Sequence, residues 1–222
     1  VRIVTEEEKK NIVKKYKVYS TDSSYLEEKR LLKSIILSKP SKNSSWKESG
    51  LNLQNNTGNM YLPYPEKVFL KKKVGANKFS IYKLETSLLE YQDHLILSDD
   101  RGTIFKINNK GKIIWKQNIY KKLYKKIYKN LIFSINKKTI YVADNIGFIY
   151  AVDIDTGKVI WIKNHGVPIK SNIKILNDNI YLLDQDNKVF ALNKKDGTQI
   201  WNILSISSFI KSQKLLSLAI SK

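Results

Sequence analysis

Cysteine is absent from this 222-residue chain. That excludes structural disulfides, thiolate metal sites and a cysteine nucleophile, and leaves the redox compartment open. Arginine is nearly absent too: Arg2, Arg30 and Arg101 stand against thirty-seven lysines. Histidine occurs only as His94 and His165, singly and far apart, so each is expected at the surface or in a turn rather than as a ligand. No run of eighteen apolar residues occurs, so nothing reads as a membrane-spanning helix. Neither a glycine-rich phosphate loop nor a nucleophile motif stands out. An enzyme is not expected, and no catalytic, cofactor-binding or metal residue is assigned. The chain begins at Val1 without a signal peptide, so a removed leader and a fragment of a longer protein are both expected.

Positive charge, by contrast, is plentiful. Forty basic against twenty acidic residues give a formal +20. Such a balance raises nucleic acid or anionic lipid as partners, because phosphate binding is largely counterion release to basic side chains. The kind of base argues the other way, since phosphate grips and base readout favour the planar fork of arginine. Abundant Asn, Ile and Tyr share A- and T-rich codons with lysine, so base-composition bias accounts for the charge. Nucleic acid is not expected as a partner, and a basic surface binder remains an alternative reading.

Residues 1 to about 45 read as a helical and extended segment. Thr5 with Glu8 makes a capping box ahead of "TEEEKKNIVKKYKVY", and "SSYLEEKRLLKSIIL" ends before Pro40. From Ser41 to about Asn59 the chain is polar and turn-rich around one tryptophan. An extended segment over a surface is expected there, because Trp46 needs burial.

Self-similarity dominates the remainder. "LILSDDRGTIFKINNKGKIIW" (95–115), "IYVADNIGFIYAVDIDTGKVIW" (140–161) and "IYLLDQDNKVFALNKKDGTQIW" (180–201) align, with tryptophans 46 and then 40 residues apart. A period of this size indicates a propeller or a similar array. Each unit runs into an aspartate (Asp99, Asp144, Asp184), then three residues on into Gly102, Gly147 or Asn187, which suits a left-handed turn residue. A second run, a turn at Gly111, Gly157 or Gly197 and a third run follow, and "SLLEYQ", "NLIFSIN" and "NIKILN" supply one more strand each. Four strands per unit make one blade. The reading is therefore an all-β, partial β-propeller at 46–222. Its three blades end near 115, 161 and 201, and one strand of a fourth lies in "FIKSQKLLSLAIS".

"IYKKLYKKIYKNL" (119–131) shows a helical stripe of Tyr120, Leu123, Tyr124, Ile127, Tyr128 and Leu131 among five lysines. A basic amphipathic helix would look like this. It falls between two blades, however, where the spacing is six residues longer. An enlarged connection with one helical turn is expected, with "NLIFSIN" already strand.

In "AVDIDTGKVIW", Ala151 is small where strands crowd, and Asp153 can accept bonds from the turn made by Thr156 and Gly157. Trp161 can wedge against a neighbouring blade. Trp115 and Trp201 repeat it, while Lys106 replaces the Ala in the first unit. This pattern resembles the tryptophan-docking signature of pyrroloquinoline-quinone-type (PQQ-type) propeller repeats. The quinone dehydrogenases among them use a calcium-binding acid cluster and usually a vicinal cysteine pair, which this chain does not offer. "IILSKPSKNSSWKESGLNLQNNTGN" adds a resemblance to a non-catalytic branch, the BamB family of propeller lipoproteins.

That resemblance implies a scaffold without cofactors at the periplasmic face of the outer membrane. It would bind the barrel-forming assembly subunit and unfolded outer-membrane clients, and touch the membrane only through a lipid anchor missing from this chain. By the same resemblance, the connection after Trp201 is the partner contact, with Leu204, Ile206, Phe209, Ile210 and Lys211 as its residues. Another PQQ-like propeller of unknown ligand is the alternative.

Overall fold

The computed structural model describes residues 36–64, 66–78, 87–124, 126–204 and 215–221. The helical reading of the N-terminal segment falls almost wholly outside these residues. Lys39–Lys222 form one compact unit.

Among the described residues, twelve strands make three antiparallel four-stranded sheets. Blade 1 contains β1 (Leu89–Tyr91), β2 (His94–Ser98), β3 (Thr103–Asn108) and β4 (Ile113–Asn118). Blade 2 contains β5 (Leu131–Asn136), β6 (Thr139–Asp144), β7 (Phe148–Asp153) and β8 (Val159–Asn164). Blade 3 contains β9 (Lys174–Leu176), β10 (Asn179–Leu183), β11 (Lys188–Asn193) and β12 (Gln199–Leu204). Strand order follows chain order in each sheet. The all-β, partial PQQ-type propeller read from the sequence is what forms. "IYKKLYKK" is a connection holding a single 3-10 turn at Lys122–Tyr124, and Leu131 opens a strand.

Two cores lie between the blades. Alternate residues of blade 2 face opposite ways. Leu131, Phe133, Val142 and Tyr150 pack with Leu89, Ile96 and Ile104 of blade 1, whereas Ile132, Tyr141 and Ile149 pack with Ile180, Leu182 and Phe190 of blade 3. That is why β5–β7 read as almost unbroken apolar runs.

The segment from Ser41 to Asn59 is the extended strip expected, and it crosses the first strand of all three blades. Trp46 exchanges two backbone bonds of 2.9 Å with Glu90 on β1, and Ile135 N–H donates to the Lys47 carbonyl at 2.7 Å on β5. At β9 the fully buried Lys174 donates to Glu48 Oε2 and the Ser49 carbonyl at 3.0 Å, and to the Asn52 carbonyl. Farther on, Asn55 donates to Ser217 and Leu218. Residues 215–221 add one isolated bridge, Leu216 to Ser171, to that end of the unit.

Candidate interaction surface

Blades 1 and 2 each hand one tryptophan to the next blade. A β-bulge between Lys106 and Ile107, repeated at Ala151/Val152 and Ala191/Leu192, sits opposite the residue before each tryptophan. Trp115 Nε1 donates to the Ile154 carbonyl at 3.0 Å, and Trp161 Nε1 to the Lys194 carbonyl at 3.1 Å. Both rings lie flat on a turn glycine of positive φ: a Cβ on Gly157 would stand 2.7 Å from Trp115, and one on Gly197 2.8 Å from Trp161. Each carbonyl also takes a second donor, Lys106 Nζ at 3.1 Å for Ile154 and Tyr141 OH at 3.2 Å for Lys194. Lys106 therefore extends from the crowded Ala position to the same acceptor as its cross-strand neighbour Trp115. Asp153 Oδ1 accepts from the Asp155 and Thr156 amides and from Thr156 Oγ1, as expected, and the Thr156 hydroxyl leads in holding its carboxyl below the ordinary range.

Blade 1 has the same socket but a different occupant. Gly111 faces Leu70, whose Cδ1 lies 3.1 Å from the position of a Cβ. Leu70 precedes Trp115 by 45 residues, close to the 46 that separate Trp115 from Trp161. Leu70 thus takes at Gly111 the place that Trp115 takes at Gly157.

The turn aspartates form a second repeat. Asp99, Asp144 and Asp184 each use Oδ1 to accept amides of their own turn. Oδ2 holds the chain segment that leads into the blade. For Asp99 the donor is Ala76 N–H at 3.2 Å, for Asp144 the Tyr120 hydroxyl, and for Asp184 the partner is His165 Nε2 at 2.8 Å. Burial pushes the Asp144 carboxyl up against the opposing pull of Tyr120 and three amides. Burial first, and the Asp144 charge second, raise the Tyr120 phenol. His165 lies in the connection after β8, within what the sequence reading allowed, though not at the surface. Its side chain is 8% exposed and stacks on Phe190 at 4.2 Å, inside the fold rather than at its surface. The repeated turn aspartates of the blades are thus taken up by turns and connections. Among the described residues no group of three His, Cys, Asp or Glu side chains is placed to hold a metal.

What remains available is surface. The outer strands β4 and β8 each carry a lysine, Lys116 and Lys163, along the open edge, a usual guard against unwanted pairing. β12 carries no charged residue. All six of its residues are exposed, with Trp201 at 37%, Ile203 at 63% and Leu204 at 59%. Leu204, the first of the expected partner residues, is therefore presented to solvent, while Ile206, Phe209, Ile210 and Lys211 lie outside the described residues. No residue pattern in the sequence marks the Lys106, Lys129 and Lys174 interactions or the Asp–His and Asp–Tyr latches.

Four-stranded blades, the tryptophans of the first two seated on the next blade's glycine turn, and the A-x-D-x-x-T-G-x-x-x-W pattern at 151–161 define a PQQ-type β-propeller, here in part. Within that class the family described as outer membrane protein assembly factor BamB matches residues 100–217, and the chain belongs to it. A quinoprotein ethanol dehydrogenase of Pseudomonas putida is 34% identical over 77 residues, 31% of this chain; the chain spans 12% of that relative's length. Among solved structures, BamB from Moraxella catarrhalis aligns at 15% identity and TM-score 0.46, covering 54% of this chain and 34% of that one. The computationally designed Ika8 protein aligns at 11% identity and TM-score 0.50, covering 61% and 39%.

Proposed function

We propose that this chain is a non-catalytic scaffold of outer-membrane protein assembly at the periplasmic face of the outer membrane, tethered as a lipoprotein. It binds the barrel-forming subunit and helps to bring unfolded β-barrel clients to it. The family match over residues 100–217 carries the reading. The chemistry of the blades supports it, because Asp99, Asp144, Asp153 and Asp184 are spent on turns and connections that hold the fold. The uncharged, exposed β12 suits a partner that adds a strand: main-chain bonds along an open edge give affinity, and side-chain pockets on alternate residues give selectivity. Its apolar side chains, Leu204 among them, suit the buried centre of a protein interface.

A photo-crosslinking residue in place of Leu204, in the full-length gene product within intact envelopes, tests this. A crosslink to the barrel-forming subunit is expected from position 204 and none from position 158, on a turn at the other end of the strands. Crosslinks at neither position would remove the proposed contact.

One observation favours a second reading, the identity to a quinoprotein dehydrogenase. Titration of the full-length protein with pyrroloquinoline quinone and calcium separates the two. A saturable absorbance change with alcohol-dependent dye reduction would make the chain part of an enzyme.

A further inference from the structure

The connection between blades 1 and 2 is the basic stretch that the scaffold reading leaves unused. It is held from below. Tyr120 is buried and donates to Asp144, and Tyr124 packs edge-on against Phe148 at 5.3 Å. Lys129 is 1% exposed, and its Nζ turns inward to donate to the Tyr124 and Ile127 carbonyls, 4.9 Å from the Tyr120 ring centre. Asn145 Nδ2 donates to the Tyr128 carbonyl at 3.2 Å, and Lys129 N–H to the Asp100 carbonyl at 3.0 Å. Burial lowers the Lys129 ammonium, with Asp144, Asp99 and Asp100 opposing that shift from below.

This frame projects apolar side chains into water. Leu123 is 80% exposed and Ile127 47%, and Lys121, Lys122 and Lys126 around them are exposed too. No acid occurs anywhere in residues 119–131. The corresponding connection between blades 2 and 3, residues 165–173, leaves no large apolar side chain exposed.

We infer that this connection is a contact for an anionic lipid surface, with Leu123 and Ile127 entering the headgroup boundary and Lys121, Lys122 and Lys126 meeting the anionic headgroups. An aliphatic tip ringed by lysines is how interfacial segments bind, through buried apolar area and charge together. Nucleic acid fits less well. Tyr120 and Tyr124, the rings on which bases would stack, are packed into the fold, and the bases are lysines without a bidentate fork. The contact goes beyond the scaffold reading and adds a second hold on the bilayer to a lipid tether.

Because the chain has no cysteine, Leu123→Cys and Lys158→Cys can each carry a single environment-sensitive fluorophore. Vesicles of phosphatidylcholine with phosphatidylglycerol are expected to blue-shift the probe at 123 and leave the probe at 158 unchanged, and pure phosphatidylcholine to shift neither. Each lysine near an anionic surface is worth roughly fivefold in partition. K121E/K122E/K126E should therefore lower vesicle binding by about a hundredfold or more. K110E/K158E/K195E, on turns at the opposite end of the strands, should lower it far less. Equal losses from both triples would reduce the binding to general attraction of a +20 chain and overturn the inference. So would an unshifted probe at 123, or displacement of the vesicles by duplex DNA that itself shifts that probe.

Discussion

Trp115 lies on Gly157 so closely that a methyl group on the glycine would stand 2.7 Å from the indole. Gly157 also has φ +73°, a conformation that L side chains take at a cost. Gly157→Ala should lower unfolding stability by about 2 kcal/mol or more, combining backbone strain with an overpacked contact. Gly166→Ala meets nothing within 4 Å at φ +79° and should cost about 1 kcal/mol. Denaturant midpoints of the two variants measure the difference, and equal losses would deny the tryptophan its seat.

The indole bonds give a graded series. Trp115→Phe and Trp161→Phe each remove one N–H donor, but Lys106 or Tyr141 keeps the acceptor carbonyl bonded. Each should cost about 1 kcal/mol. Trp201 has no hydrogen-bond partner among the described residues and is 37% exposed, so Trp201→Phe should leave the midpoint nearly unchanged. A large loss at 201 would mean that its ring is buried in solution.

Lys174 pins the N-terminal strip, so its loss should be felt there first. Lys174→Met leaves the Glu48 carboxylate, 16% exposed, without its cation and should destabilise by about 3 kcal/mol. Hydrogen exchange should accelerate at Trp46 and Ile135, whose amides bond across that strip, before it changes in β6 and β7. Lys174→Met with Glu48→Gln should recover part of the loss.

Two acids of blade 2 should titrate with opposite signs. The Asp153 carboxyl is held below its ordinary value, so its contribution is present above the unfolded-state value near 4 and fades as pH falls through the folded value. The Asp144 carboxyl is raised by burial, so its contribution is full below about 4 and fades as pH rises through its folded value. Against Asp153→Asn, wild type should lose its relative advantage in acid. Against Asp144→Asn, it should lose it toward neutral pH. Stability measured from pH 3 to 7 for the three proteins checks both signs.

The blades were legible because their chemistry is local. The spacing of Trp115, Trp161 and Trp201, the aspartate-to-glycine turns and the alternation on either side of them encode strand, turn and docking together. The connection at 119–131 was readable for a similar reason, since a strand has to begin at Leu131. Other features were hidden by varied residue types serving one purpose. A backbone amide at Ala76, a phenol at Tyr120 and an imidazole at His165 hold equivalent carboxylates, and no residue pattern joins them. Leu70 fills a tryptophan socket without belonging to a paired strand, and only its 45-residue distance from Trp115 marks it. The inward turn of Lys129 and Lys174 depends on carbonyls brought near by the fold.

A pull-down from detergent-solubilised envelope with the full-length gene product tests the scaffold reading most directly. Recovery of the barrel-forming assembly subunit is expected, with loss of recovery when Phe209 and Lys211 are changed. Recovery that survives those changes would keep the function and discard that contact. A soluble dehydrogenase partner or nucleic acid in place of any assembly subunit would contradict the scaffold reading itself.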